Sequence, residues 1–241
     1  MIRSCIETRG IASWRERLAD PENQWKRYYS AFETAVSWEG ASSGSNGLPQ
    51  PIARLFSNSV FGVPTLLLAI AEHKVPLRGK GGDSQCDVWA LLHTESGGVS
   101  LSVEAKAKEP FGQGNESLRQ WLDAGKTKES KDNRRERRIH VEENLPKPTR
   151  DGYAQVPFQL LHRCAAAVIE AKRLGLPNAA FVIQAFGSPP ESFDAFSKMC
   201  SAMGVPADRK QLQVTMVDGM RLGIGWADCP FATDAEVAGV A

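Results

Sequence analysis

Residues 179–186 read AAFVIQAF. A nearly continuous apolar run of that length predicts a strand buried on both faces. Just upstream, Pro157 opens a helix predicted over Phe158 to Leu174. Its Phe158, Leu161, Ala165, Val168 and Ile169, with the stem of Lys172, repeat at the helical period. A long amphipathic helix leading into a doubly buried strand sets the fold class as mixed α/β.

Two more strands are predicted at Cys86 to His93 (CDVWALLH) and Val99 to Lys106 (VSLSVEAK), and the short connection Thr94 to Gly98 suits a hairpin. Before them, Pro64 predicts the start of a short apolar helix running to about His73. Val75 to Arg78 reads as an edge strand at most, because of Pro76, and Gly79 to Ser84 as a turn. Asp20-Pro21 predicts a helix start, with Trp25, Tyr28, Tyr29, Phe32 and Val36 forming a stripe that ends near Trp38. Residues 39–50 (EGASSGSNGLPQ) read as a loop. After the buried strand come a helix from Pro190 to Met203 and strands at Leu212 to Val217 and Met220 to Trp226. Asp218-Gly219 is a hairpin signal between those strands. The tail, 232–241, reads as frayed. The expected organisation is a single domain over 1–241. An N-terminal helical arm covers 1–50, the core 51–190 carries an insertion at 110–150, and a C-terminal extension covers 191–241.

Composition narrows the function classes. The chain has 241 residues, 42% hydrophobic and 24% charged, which excludes a disordered scaffold. Its longest apolar stretch, Val63 to Ala71, is too short to span a bilayer. Met1 to Arg17 has no apolar segment of a secretory signal, and no membrane partner is expected. Five cysteines, odd in number and widely spaced, argue against a disulfide framework and a zinc site and suit the cytoplasm. A net charge of +1 excludes a protein that coats DNA with overall positive charge, but not one with a local basic groove. There is no HExxH, GxSxG or P-loop. Gly79-x-Gly81-Gly82 reads as a turn before a strand.

The chemistry concentrates in Asp87 and, seventeen positions on, Glu104-Ala105-Lys106. Alternation along a strand puts Glu104 and Lys106 on one face, and a hairpin can set the Asp87 carboxylate beside Glu104. Two close carboxylates repel unless a cation lies between them. Hard oxygen ligands with room for water suit Mg²⁺. The backbone carbonyl of Ala105 is a candidate third ligand. Lys106 would position a water or offset developing negative charge.

Asp…Glu-x-Lys on two antiparallel strands, in an order of helix, three-strand meander, helix and strand, resembles the PD-(D/E)XK nuclease superfamily. The resemblance covers about residues 60–186. Segments SQCDVWALL, VEAKAKEPFG and FQLLHRCAAAVIEAKR are similar to those of an uncharacterised bacterial branch of that superfamily, which brings no substrate with it. The resemblance implies a restriction-endonuclease-like core and a phosphodiesterase using Mg²⁺ or Mn²⁺. DNA would be its partner, with RNA left open, and a homodimer is implied by analogy. Asp87 and Glu104 match the metal carboxylates and Lys106 the catalytic lysine. Glu72, expected at the end of the preceding helix, matches an additional acidic ligand. Cys86 stands where the name-giving proline would be.

In that superfamily the helix after the ExK strand often lends polar groups to the site. Gln159 is then a candidate to bond the attacking water or a phosphate, and Arg163 and His162 to bind phosphate oxygens. Glu170 shares the face of Gln159 and Arg163. The segment 126–138 holds seven Lys/Arg against three Asp/Glu. It offers Lys126, Arg134 and Arg138 as phosphate contacts, or else a solvated helix with internal ion pairs. Three functions compete: a divalent-metal-dependent endonuclease, a non-catalytic module of the same fold that binds nucleic acid or protein, and, weakest in the absence of HExxH, GxSxG or a P-loop, a different metal-dependent hydrolase.

Overall fold

The computed structural model describes residues 10–240 except 42, 43, 45, 113, 151, 188 and 189. Along the chain run helices α1 (Ala12–Arg15), α2 (Pro21–Gln24), α3 (Ser30–Ala41) and α4 (Gln50–Ser57), then strands β1 (Thr65–Val75), β2 (Ser84–Thr94) and β3 (Gly97–Lys106). Helices α5 (Leu118–Asp123), α6 (Lys128–Glu142) and α7 (Phe158–Leu174) follow, then β4 (Asn178–Phe186), α8 (Pro190–Ala202), β5 (Gln213–Val217), β6 (Met220–Cys229) and α9 (Asp234–Gly239). All six strands form one sheet in the order β1-β2-β3-β4-β6-β5. β1, β2 and β3 are an antiparallel meander. β4 runs parallel to β3 and β6 parallel to β4, while β5 closes an antiparallel hairpin on β6. No helix among the described residues is long and apolar enough to cross a membrane.

The doubly buried strand behaves as its composition demands. Ala179, Phe181, Ile183 and Ala185 of β4 join the core under α7, with Trp226 and Phe196. Ala180, Val182 and Phe186 join the opposite core with Leu101, Val103, Ile52 and Phe56. The one polar residue in the middle of β4, Gln184, is fully buried, and its amide is bonded at both ends. It accepts the Trp38 indole N–H at 3.0 Å and donates to Ser37 Oγ at 3.0 Å. That pair ties α3 to the sheet. α7 ends as expected, with Gly175 in the left-handed region at φ 65°. The β5–β6 turn places Asp218 and Gly219 at φ 48° and 82°, the mirror-image turn that matches strand twist.

Three expectations are corrected. The helix predicted over 64–73 is instead β1, and of the predicted edge strand at 75–78 only Val75 is paired. A short apolar run without clear alternation fits either period. Pairing decides it here: β1 is registered on β2 from Thr65 opposite His93 to Val75 opposite Ser84. The helix that precedes the meander is α4. Secondly, the long N-terminal helix is split. α2 is capped by Asp20 as predicted but lasts one turn. The chain then turns through Tyr28 at φ 67°, and the Glu33 carboxylate takes the Tyr28 N–H at 2.8 Å. α3 restarts where Glu109 Oε1 accepts both the backbone N–H and the hydroxyl of Ser30 at 3.0 Å, a carboxylate at the positive end of a helix. Thirdly, the C-terminal tail is ordered as α9. Thr233 and Glu236 form a capping box, and the Ala232 N–H donates to Glu33 Oε2 at 2.7 Å.

The strand assignment of β1 has a measurable consequence. Leu92 of β2 is fully buried, whereas Leu67 of β1 is 60% exposed. Leu92→Ala is expected to lose about 2–5 kcal/mol of unfolding free energy, and Leu67→Ala about 0.5 kcal/mol or less. Urea midpoints at unchanged slope read both. Equal losses would contradict this burial pattern.

Candidate active site

On β3, Val99, Leu101, Val103 and Ala105 face the α3–α4 core. Ser100, Ser102, Glu104 and Lys106 therefore face α7. The predicted shared face of Glu104 and Lys106 is present, and Lys106 Nζ lies 2.8 Å from Glu104 Oε1. α7 supplies two more donors to the same carboxylate. Gln159 Nε2 donates to Oε1 at 2.7 Å and Arg163 Nε to Oε2 at 2.8 Å. Glu104 is only 1% exposed. Burial alone would raise its pKa, but Lys106 and Arg163 outweigh that and hold it below the ordinary carboxylate value. The Glu104 and Asp87 charges likewise raise Lys106 against the effect of its burial.

Asp87 reaches the site through an irregularity. The β2–β3 ladder ends with Val88 opposite Val103. Beyond it, Asp87 Oδ2 takes the Ala105 N–H at 2.6 Å in place of a backbone carbonyl. On β1 and β2 the side-chain alternation slips at the same level. Ala71 and Val88 pack with the α3–α4 core. Two residues away on each strand, His73 bonds Glu170 of α7 and Cys86 packs against Ala166. The residues between, Glu72 and Asp87, both line the cleft. Glu72 holds φ 55°, a costly conformation for a residue with a Cβ. Glu72 is thus at the site, as proposed from sequence, but from within a strand and not from a helix end.

These groups form the floor of a cleft of about 460 Å³. One wall is Glu109, Pro110, Gly112, Gln159 and Arg163. The other is the N-terminal arm, through Leu18, Asn23, Gln24, Tyr29 and Ser30. Burial pushes Asp87 well above the usual carboxylate range, and the Glu104 and Glu72 charges push the same way. Glu72 is pushed up to about 7, again by burial first, with the Gln85 amide partly opposing it.

Other sequence-derived candidates are placed differently. Gln159 and Arg163 line the cleft, but the Gln159 amide bridges Glu104 and the Gly112 N–H, and the Arg163 guanidinium is paired with Glu104. His162 is half-buried. Its Nδ1 is 2.8 Å from Ser84 Oγ and its ring meets the Phe158 edge. Burial and the nearby Arg163 and Arg137 hold its pKa well below the ordinary value, so it offers a neutral ring and no positive charge for phosphate. Glu170 is engaged with His73 and Arg173, away from the cleft. The basic segment forms α6 and does not line the cleft. Arg134 lies over the Trp121 ring and donates to its carbonyl, Arg138 pairs with Glu142 at 2.9 Å, and Lys126 is exposed just before the helix. The Ala105 N–H bonds Asp87; nothing further distinguishes its carbonyl as a ligand. Sequence reasoning missed Gln85, Ser84, Glu109 and the whole arm wall. A Glu three positions after Lys106 is the one local signal among them.

Among the described residues no group of three or more His, Cys, Asp or Glu side chains is arranged to hold a metal ion by itself. Any cation here would need water or substrate oxygens to complete its shell.

Two predictions follow from the charges. Glu104→Gln leaves Lys106 and Arg163 buried without their counter-charge and should cost about 3–5 kcal/mol, read by urea unfolding. For Glu72, a folded-state pKa above the unfolded value means stability is fully present below the ordinary pKa of 4.5 and is lost as pH rises through about 7. In EDTA, unfolding free energy should fall across that window. Glu72→Gln should make the fall shallower, with Asp87 keeping part of it; an unchanged slope would contradict the burial of Glu72.

No curated protein and no solved structure matches the chain. A family model does: residues 7–230 match the domain of unknown function DUF6946, and the chain belongs to that family.

Proposed function

We propose that this chain is a divalent-metal-dependent endonuclease hydrolysing phosphodiester bonds, with DNA as substrate, built on a restriction-endonuclease-like core. The observation that carries the reading is the meeting of Asp87, Glu104 and Lys106 on the floor of one cleft. It is supported by their setting: a helix, a three-strand meander, a helix over the site and a parallel fourth strand.

The donor set fits a hard cation. Glu72, Asp87 and Glu104 offer only oxygen, and Mg²⁺ is commonly held by one or two carboxylates with water and substrate phosphate filling the rest. Burial and mutual repulsion raise Asp87 and Glu72, and a cation would relieve that repulsion. Asp87 and Glu104 would hold the ion, with Glu72 as a further oxygen. A bound ion would supply an activated water and charge neutralisation at the phosphate. The chain's own groups do the rest. Gln159 and Arg163 fix the Glu104 carboxylate. Lys106, buried and charged, keeps an ammonium beside the carboxylates, where negative charge on a phosphate would grow. The arm and the Gly112 segment line the cleft and narrow it. The buried free thiols Cys86, Cys164, Cys200 and Cys229 suit a reducing cytoplasm.

The test is nicking of supercoiled plasmid in Mg²⁺, Mn²⁺ or EDTA by wild type and Lys106→Ala, with metal binding followed by calorimetry. Wild type should cleave only with metal. Lys106→Ala should lose about 10²–10³ in turnover while binding metal at least as well, since a competing cation is gone from Glu104 Oε1. Near-normal cleavage by the variant would remove Lys106 from the mechanism. No cleavage by wild type of any DNA or RNA would leave a non-catalytic binding module.

A further inference from the structure

The arm wall of the cleft carries a feature that the proposed chemistry does not use. Trp25-Lys26-Arg27-Tyr28-Tyr29 forms the turn between α2 and α3. Tyr28 sits at φ 67° and is 48% exposed. A bulky side chain in the left-handed region costs roughly 1–3 kcal/mol, and a glycine here would avoid it. The ring is instead held next to the cleft-lining Tyr29. Its edge meets Phe231 at 5.3 Å, and Arg27 and Lys108 lie 5.4 and 5.9 Å from its centroid. Lys108 comes from the segment that leaves β3, two residues after Lys106. Next to it, Tyr29 lines the cleft with the exposed Lys26 at 5.9 Å from its ring. The turn is fastened by Glu33 on the Tyr28 N–H and Glu109 on Ser30.

We infer that the Tyr28–Tyr29 turn is a stacking platform for single-stranded nucleic acid, feeding one strand past the rim into the cleft. This rests on the nuclease reading for what happens inside the cleft. Three observations favour one strand over two. The cleft, about 460 Å³, is of the size that encloses a small ligand and is walled on both sides; a duplex would have to lift the fastened arm. The inner arm wall, Asn23, Gln24, Tyr29 and Ser30, carries no cation to meet a second phosphate backbone. Beside the cleft-lining Tyr29, the two tyrosine rings each have a lysine near them, Lys26 at Tyr29 and Lys108 at Tyr28, the combination of rings and cations that holds unstacked bases and tracks one backbone without reading sequence.

The experiment is fluorescence anisotropy with a labelled oligodeoxynucleotide, single-stranded or annealed, in EDTA and in Ca²⁺, alongside cleavage of both forms in Mg²⁺. Wild type should bind the single strand more tightly than the duplex. Tyr28→Gly suits the backbone at φ 67°, so its melting temperature should not fall appreciably. It should weaken single-strand binding about 5- to 100-fold and leave duplex binding unchanged. Tyr28→Phe should restore binding, since stacking needs the ring and not the hydroxyl. Lys26→Glu with Lys108→Glu should make the salt dependence shallower by about 0.7 per lost phosphate contact. Absent single-strand binding, binding indifferent to Tyr28→Gly, or faster cleavage of duplex would overturn the platform. The last outcome would leave the nuclease reading standing. Tyr28-dependent binding without any cleavage would retain the platform and remove the nuclease reading.

Discussion

The Glu104 carboxylate is the joint on which the site depends. A carboxylate this deeply buried must find donors or give up its charge, and its three side-chain donors come from both sides of a layer boundary. Lys106 lies on its own strand; Gln159 and Arg163 descend from α7. Each donor reaches further. Gln159 takes the Gly112 N–H, and Arg163 extends to Ser84 at the start of β2, 3.4 Å away. One charged group thus positions the exit of β3, the first turns of α7, the start of β2 and a cleft wall. A buried ion pair contributes little net stability compared with apolar packing; its contribution here is to fix the geometry of a polar floor between two apolar cores.

Much of this was legible locally. The β2–β3 hairpin, α7, β4 and the β5–β6 turn depend on periodicity and turn chemistry within a few residues, and each lies within two or three residues of its predicted bounds. Asp87, Glu104 and Lys106 followed from that hairpin. β1 was not legible, because TLLLAIAEH is apolar without alternation. Its conformation is decided by β2, which shields one flank, and by a slip in alternation at Glu72 that no propensity encodes. The break between α2 and α3 depends on Glu109, about eighty residues away, and on Glu33, which also binds the C-terminal segment. The capping box of Thr233 and Glu236 is a local signal, and it outweighs the small-residue composition that suggests fraying.

The basic segment shows that charge count alone does not say where side chains go. Its surplus looks like a nucleic-acid face, yet α6 uses Arg134 on Trp121, Arg137 on the Gly82 carbonyl and Arg138 on Glu142. These arginines brace the loop before β2 and the insertion. The smaller basic and aromatic cluster in the arm was read as a helical stripe, which it would be if the helix continued through Tyr28. Breaking the helix there turns Tyr28 outward and brings the arm against the cleft. The same break therefore takes Tyr28 and Tyr29 out of a stripe whose Trp25, Phe32 and Val36 stay with the core, and it builds the wall of the site.

Charge balance in the cleft is uneven. Glu72, Asp87, Glu104 and Glu109 face Lys106 and Arg163 across a largely desolvated floor. Glu104 holds both cations, and Glu109 is neutralised in part by the Ser30 helix end and the Ala107 N–H. Asp87 and Glu72 are left with one backbone N–H and one amide between them, and both respond by retaining protons further up the pH scale. A carboxyl kept neutral by burial costs less than a bare carboxylate, but it keeps that proton only while nothing better arrives. Under the proposed reading, a divalent cation held by Asp87 and Glu72 would favour their ionised forms. That surplus of acid over base, set beside the buried ammonium of Lys106, is the charge pattern on which the proposed divalent-cation reading rests.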